Sequence, residues 1–181
     1  MEIISIYPPY IYSIRYDEEE ENEFDRLFCL WNDVSFVESF ITTNSEYLAN
    51  PVWSRVAHPE DAVRQVLREA VDLENLFEVL AENAENGEKP DFDSHFKYLE
   101  GEYKYELMYV PMKSYGTERP SLVRMYAIKL RQNTYLITGG GIKLADTIQK
   151  SPDLRDHVMP NLKRVRGYLK ANGIIDNEDM D

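Results

Sequence analysis

Ser121 to Lys150 reads SLVRMYAIKLRQNTYLITGGGIKLADTIQK, and the frame of the chain is built around this stretch. Arg124 to Leu130 is β-branched and aromatic enough to be a strand. Gln132-Asn133 supplies a turn, since Asn tolerates positive φ better than other residues with a side chain. Thr134 to Thr138 is the return strand, and it runs into Gly139-Gly140-Gly141. Three glycines pack no side chain and lose the most entropy on ordering, so the strand is predicted to end there in a sharp bend that exposes backbone. The stretch is a β-hairpin closed by a glycine turn, with Lys143 just beyond it.

Charge divides the chain at the same place. Residues 121–170 carry ten Lys/Arg and three Asp/Glu, a net of +7, within a protein whose formal charge is −13. The remainder is acidic, and such asymmetry implies either a basic working surface or internal neutralisation between the two parts. At 181 residues the chain is long enough to bury a proper core. Residues 1–175 are predicted to form one α+β domain, comprising an acidic strand-and-helix part (1–120) and a basic hairpin-plus-helix module (121–170). Residues 176–181 are an acidic tail, with disorder expected from Asn177 onward.

Cys29 is the only cysteine, which excludes an internal disulfide and suits a reducing compartment. It lies in an apolar helical pattern. No stretch approaches the roughly 18 apolar residues of a membrane span, so no membrane partner is expected and the expected location is cytoplasmic. His58, His95 and His157 show no ligand spacing, and neither a metal nor a cofactor is expected.

Before the hairpin, Ile3 to Tyr16 reads as strand, interrupted by Pro8-Pro9, which restricts it to a sheet edge or to two short pieces. The acid run from Asp17 to Glu21 suits a helix start. Phe24, Leu27, Phe28 and Trp31 then make one helical face, and Asn32-Asp33 breaks that helix and caps a second over Val34 to Ile41. Pro59 opens the longest helix, whose apolar face runs from Val63 to Leu80 before the acidic loop Glu88 to Ser94. Phe96 to Tyr115, dense in tyrosine, reads as a strand that pairs with the hairpin; such a row can stack on bases or simply form a half-buried sheet face. Asp153 to Asn172 is the closing helix, with Pro160 kinking or restarting it and Gly173 as its C-cap.

An Arg-bearing strand, a polar turn, an aromatic strand, glycine, Lys143, a Thr/Gln/Lys/Pro segment from Thr147 to Pro152 and a closing helix together resemble the C-terminal half of the RelE/HigB-like toxins of bacterial toxin–antitoxin pairs, over Val123 to Leu169. The resemblance implies an enlarged RelE-like fold, with an N-terminal strand and helices ahead of an antiparallel meander closed by a helix. It implies an antitoxin protein as partner and cleavage of mRNA, typically on the ribosome, by attack of a ribose 2′-hydroxyl on the adjacent phosphate. That chemistry needs no metal; it needs cations to stabilise a phosphorane and a group to move the 2′-proton. The matching catalytic positions are Arg124, Lys129, Lys143, Arg166 and Tyr168. Arg131, Lys150, Lys163 and Arg164 are the further RNA-binding candidates of the basic module. Arg124 and Lys129 are five apart, which places them on opposite faces of a regular strand, while Arg166 and Tyr168, two apart on a helix, share no face. The alternative is a non-enzymatic protein-interaction module that keeps a toxin-like scaffold.

Overall fold

Pro8 and Pro9 have no amide hydrogen to give to a ladder, and the chain reverses at them. β1 (Glu2–Tyr7) and β2 (Ile11–Arg15) form a hairpin, with Glu2 opposite Arg15, and β1 is an edge of the sheet. The computed structural model describes all residues except 18, 57, 100–107, 176 and 181.

The rest of the sheet comprises β3 (Phe96–Tyr98), β4 (Val110–Tyr115), β5 (Val123–Arg131) and β6 (Thr134–Ile142), in the order β1-β2-β6-β5-β4-β3. Every neighbouring pair is antiparallel except β2 and β6, which run parallel with Ile11 beside Tyr135. A parallel pair needs a long crossover. Here the helices between β2 and β6 are part of it. The architecture is the expected α+β class, on a mixed six-stranded sheet. Among the described residues no helix is long and apolar enough to cross a membrane.

α1 (Glu23–Asn32) begins after the acid run, not within it: Asn22 is its N-cap and accepts the Asp25 N–H at 3.2 Å. α2 (Val34–Thr43) is capped by Asp33, which accepts the Phe36 N–H at 3.1 Å. α3 (Pro59–Glu85) has Pro59 in its first turn and buries Val63, Val66, Ala70, Leu73 and Phe77. α4 (Val158–Asn172) is shorter than expected, because residues 152–157 form turns before it; Gly173, at φ 67°, ends it as read. The tail is not structureless, since Asn177–Met180 forms a 3-10 turn. Cys29 is exposed on α1, although its neighbours Phe28 and Trp31 are buried.

The sheet separates two cores. One face packs Met125, Ala127, Tyr135 and Ile137 against Phe24, Leu27, Trp31, Val66 and Phe77 of α1 and α3. The opposite face packs Tyr12, Ile14, Tyr126, Ile128 and Leu136 against Leu162, Val165 and Leu169 of α4.

Two expectations about the hairpin region are corrected. The residues Phe96 to Tyr115 are not one strand: β3 and β4 pair with each other, Phe96 opposite Ser114, and the Tyr103, Tyr105 and Leu107 part of the tyrosine row lies outside the described residues. The glycines, moreover, are not a turn. β6 continues through them to Ile142, with Gly139, Gly140 and Gly141 opposite Tyr126, Met125 and Arg124. They are glycines because the strand is crowded: a Cβ on Gly140 would collide with the Arg124 carbonyl, and one on Gly141 with the Asp153 carboxylate. Gly139, at φ 150°, sits where the register slips between Tyr126 and Ala127. The turn itself is Gln132-Asn133, and Asn133 has the positive φ, 60°, that its residue type permits.

Candidate anion-binding site

Strand alternation turns Arg124 and Tyr126 toward the α4 side of the sheet, since Tyr126 belongs to the core that α4 covers. The register then aligns two rows there: Tyr115, Arg124 and Gly141, and beside them Lys113, Tyr126 and Gly139. The β4–β5 loop adds Arg119, and the end of β6 adds Lys143.

Tyr115 is the hub of this cluster. The Arg124 guanidinium lies 4.3 Å from its ring centroid, Arg119 lies 5.5 Å away and the Lys113 ammonium 5.7 Å. A ring face attracts cations that would otherwise repel one another. Arg124 is only 9% exposed, and its Nη1 donates to the carbonyls of Ser121 at 2.9 Å and Val123 at 2.8 Å. Burial, opposed by neighbouring Tyr126 and Tyr115, pulls its pKa down from the ordinary arginine value. Lys143 donates to the Asp146 carbonyl at 2.8 Å, and burial, followed by repulsion from Arg124, holds its pKa below the usual 10.5. None of Lys113, Arg119, Arg124 and Lys143 forms an ion pair among the described residues. Four cations gather, in a chain of net charge −13, with no carboxylate in ion-pair contact among the described residues; Glu69 and Asp146 act on Arg124 and Lys143 only from a distance.

The other candidates lie apart. Lys129 points to the opposite face, where its ammonium pairs with Asp93 at 2.9 Å and lies 5.6 Å from the Tyr135 ring centroid. Asp93 also accepts the Tyr135 hydroxyl at 2.6 Å and the Asn133 N–H at 2.9 Å, so Lys129 fastens the hairpin turn to the Phe92–His95 segment. Arg131 faces Glu178 at 3.8 Å. Lys150 and Lys163 are exposed, and Arg164 reaches Asp17 at 3.3 Å while stacking 5.1 Å from the Tyr16 centroid. Arg166 and Tyr168 are half-buried on α4, and Tyr168 packs against the second core.

Three members of the cluster, Lys113, Tyr115 and Arg119, were not among the sequence candidates. Lys113 and Tyr115 share one register of β4, but the cross-strand pairing to Arg124 that gives them meaning is a tertiary fact. The glycines are not the predicted amide cradle for an anion, because their backbone is buried within β6. Among the described residues no group of three or more His, Cys, Asp or Glu is placed to hold a metal ion.

No family model matches the chain, and neither the curated proteins nor the solved structures yield a match.

Proposed function

We propose that this protein binds single-stranded RNA through Lys113, Arg119, Arg124 and Lys143, with Tyr115 as a stacking platform, and that it acts as a RelE/HigB-like, metal-independent endoribonuclease. The observation that carries the reading is the convergence of three cations on one aromatic ring, with Lys143 near enough to Arg124 and Lys113 for their charges to lower its pKa, and with none of the four in an ion pair among the described residues. Phosphate supplies the missing negative charge, and phosphate neutralisation is the main source of affinity for nucleic acid. The Arg124 fork suits the two oxygens of a phosphodiester, and an aromatic ring accepts any base face.

Within this reading the chemistry follows the cations. The ribose 2′-oxygen attacks phosphorus and the bond to the 5′-oxygen breaks, leaving a 2′,3′-cyclic phosphate and a 5′-hydroxyl. Water takes the 2′-proton, while Lys143 contributes its ammonium charge beside the phosphate. Arg124 and Arg119 stabilise the charge that builds on the phosphorane, and water protonates the departing oxygen. A ribosome and an antitoxin protein are the partners this proposal entails.

The second reading, a non-enzymatic interaction module, uses the same cluster: an acidic segment of a protein partner would also neutralise it. Tightly induced expression separates the two. Growth arrest with mRNA cleavage, both abolished in Lys143→Ala and Arg124→Gln chains that remain folded, supports the ribonuclease. Wild-type expression without cleavage on ribosomes overturns it in favour of the interaction module.

A further inference from the structure

Glu69 stands in the apolar stripe of α3 and is fully buried, a costly place for a carboxylate unless its oxygens are satisfied. They are. Oε2 accepts the backbone N–H groups of Leu122 and Val123, each at 2.9 Å, and lies 3.1 Å from the Ser121 hydroxyl. Oε1 accepts the Gln65 amide at 2.9 Å, and the same amide donates to the Pro120 carbonyl at 2.8 Å. The start of the cationic strand is thus held on α3 by one buried carboxyl, whose pKa burial raises above 4.5 against the pull of these hydrogen bonds.

The same backbone is gripped from its other side. Arg124 Nη1 donates to the Ser121 carbonyl, and that carbonyl and the Leu122 N–H belong to one peptide unit. A carboxylate therefore sits at the N–H end of a dipole whose oxygen end faces a guanidinium. Each charge polarises the peptide in the sense that favours the other. A direct carboxylate–guanidinium pair would occupy the fork that recognises a phosphate. Here the compensation passes through the peptide, and Arg124 Nε and Nη2 donate to nothing among the described residues.

We propose that Glu69 is a positioning residue for anion binding, aligning and compensating Arg124 through the Ser121–Leu122 peptide while leaving the guanidinium edge open to phosphate. The proposal rests on the anion-binding reading above. Gly116 belongs to the same device: a Cβ there would press on the Glu69 carboxyl, so the β4–β5 loop closes against this side chain at both ends.

The test is Glu69→Gln, which keeps the shape and removes the charge. Two readouts are followed: the 15N side-chain resonances of Arg124, and the affinity for a fluorescein-labelled single-stranded RNA at low salt. The expected result is a folded variant in which the Arg124 resonances move and lose their protection from exchange, with affinity lower by about tenfold. In the Arg124→Gln background the second substitution should add nothing. Unchanged Arg124 resonances and unchanged affinity in a folded Glu69→Gln chain overturn the proposal. If the wild type binds no RNA, the anion reading fails, and the Arg124 resonances still decide whether Glu69 positions that side chain. Should Glu69→Gln not fold, the wild type decides by itself, because a freely rotating, fast-exchanging Arg124 guanidinium is incompatible with a pinned Nη1.

Discussion

Asp93 gathers three donors on one oxygen: the Lys129 ammonium, the Tyr135 hydroxyl and the Asn133 N–H. Burial alone would raise its pKa, yet these bonds outweigh burial and hold the carboxyl below the usual 3.8. A carboxylate with a depressed folded pKa stabilises the fold above its unfolded value and loses that contribution as pH falls through the folded one. Asp93→Asn is therefore expected to cost about 1–3 kcal/mol at neutral pH and to flatten the acid limb of the stability curve below pH 3.8, measured by urea unfolding. Gly140→Val should cost about 1–3 kcal/mol or prevent folding, since the added atoms meet the Arg124 carbonyl and Leu27; an unchanged melting temperature would refute the crowding. The opposite facing of Arg124 and Lys129 was legible from a spacing of five. Which partner each would find was not, because Asp93 lies 36 residues before Lys129 in the chain. Glu69 left a trace, standing three residues after Val66 and four before Leu73 in an apolar stripe. A charge on that face signals a buried partner, but the sequence does not say which.

Helix faces, the Asp33 and Gly173 caps and the Gln132-Asn133 turn follow from local chemistry, and local chemistry is what a sequence displays most directly. Sheet pairing is non-local. Nothing in Ile11 to Ser13 announces a parallel partner in Tyr135 to Ile137, and a glycine run reads as a bend unless the backbone and carboxylate packed against it are known. The pairings carry a prediction of their own. β5 and β6 are the central strands, flanked by β4 and β2, with both faces covered by helices from opposite ends of the chain. A fragment beginning at Ser121 would expose two strand edges and one apolar face, and it is expected to be unfolded by circular dichroism and amide exchange. A fragment with native-like dispersion in its NMR spectrum would show that the basic module folds alone.

Charge is segregated across the whole chain: a net −13 protein concentrates +7 in residues 121–170. Part of that excess is spent on structural pairs, as in Lys129 with Asp93 and Arg164 with Asp17. No cation of the cluster around Tyr115 forms such a pair among the described residues, and an RNA phosphate there would favour the Lys143 ammonium against the burial and the Arg124 charge that lower its pKa. RNA affinity should accordingly fall as pH rises through the lowered Lys143 pKa, because the free protein then has to take up a proton to bind. The most direct measurement is the salt dependence of single-stranded RNA binding, followed by fluorescence anisotropy for the wild type, Lys113→Ala, Arg119→Ala and Lys143→Ala. Each substitution should weaken binding for all sequences alike and reduce the slope of log K against log salt by about 0.7, the value for one phosphate contact on a single strand. Wild-type binding that is absent at low salt, or slopes unmoved by all three substitutions, would contradict an RNA site at this cluster.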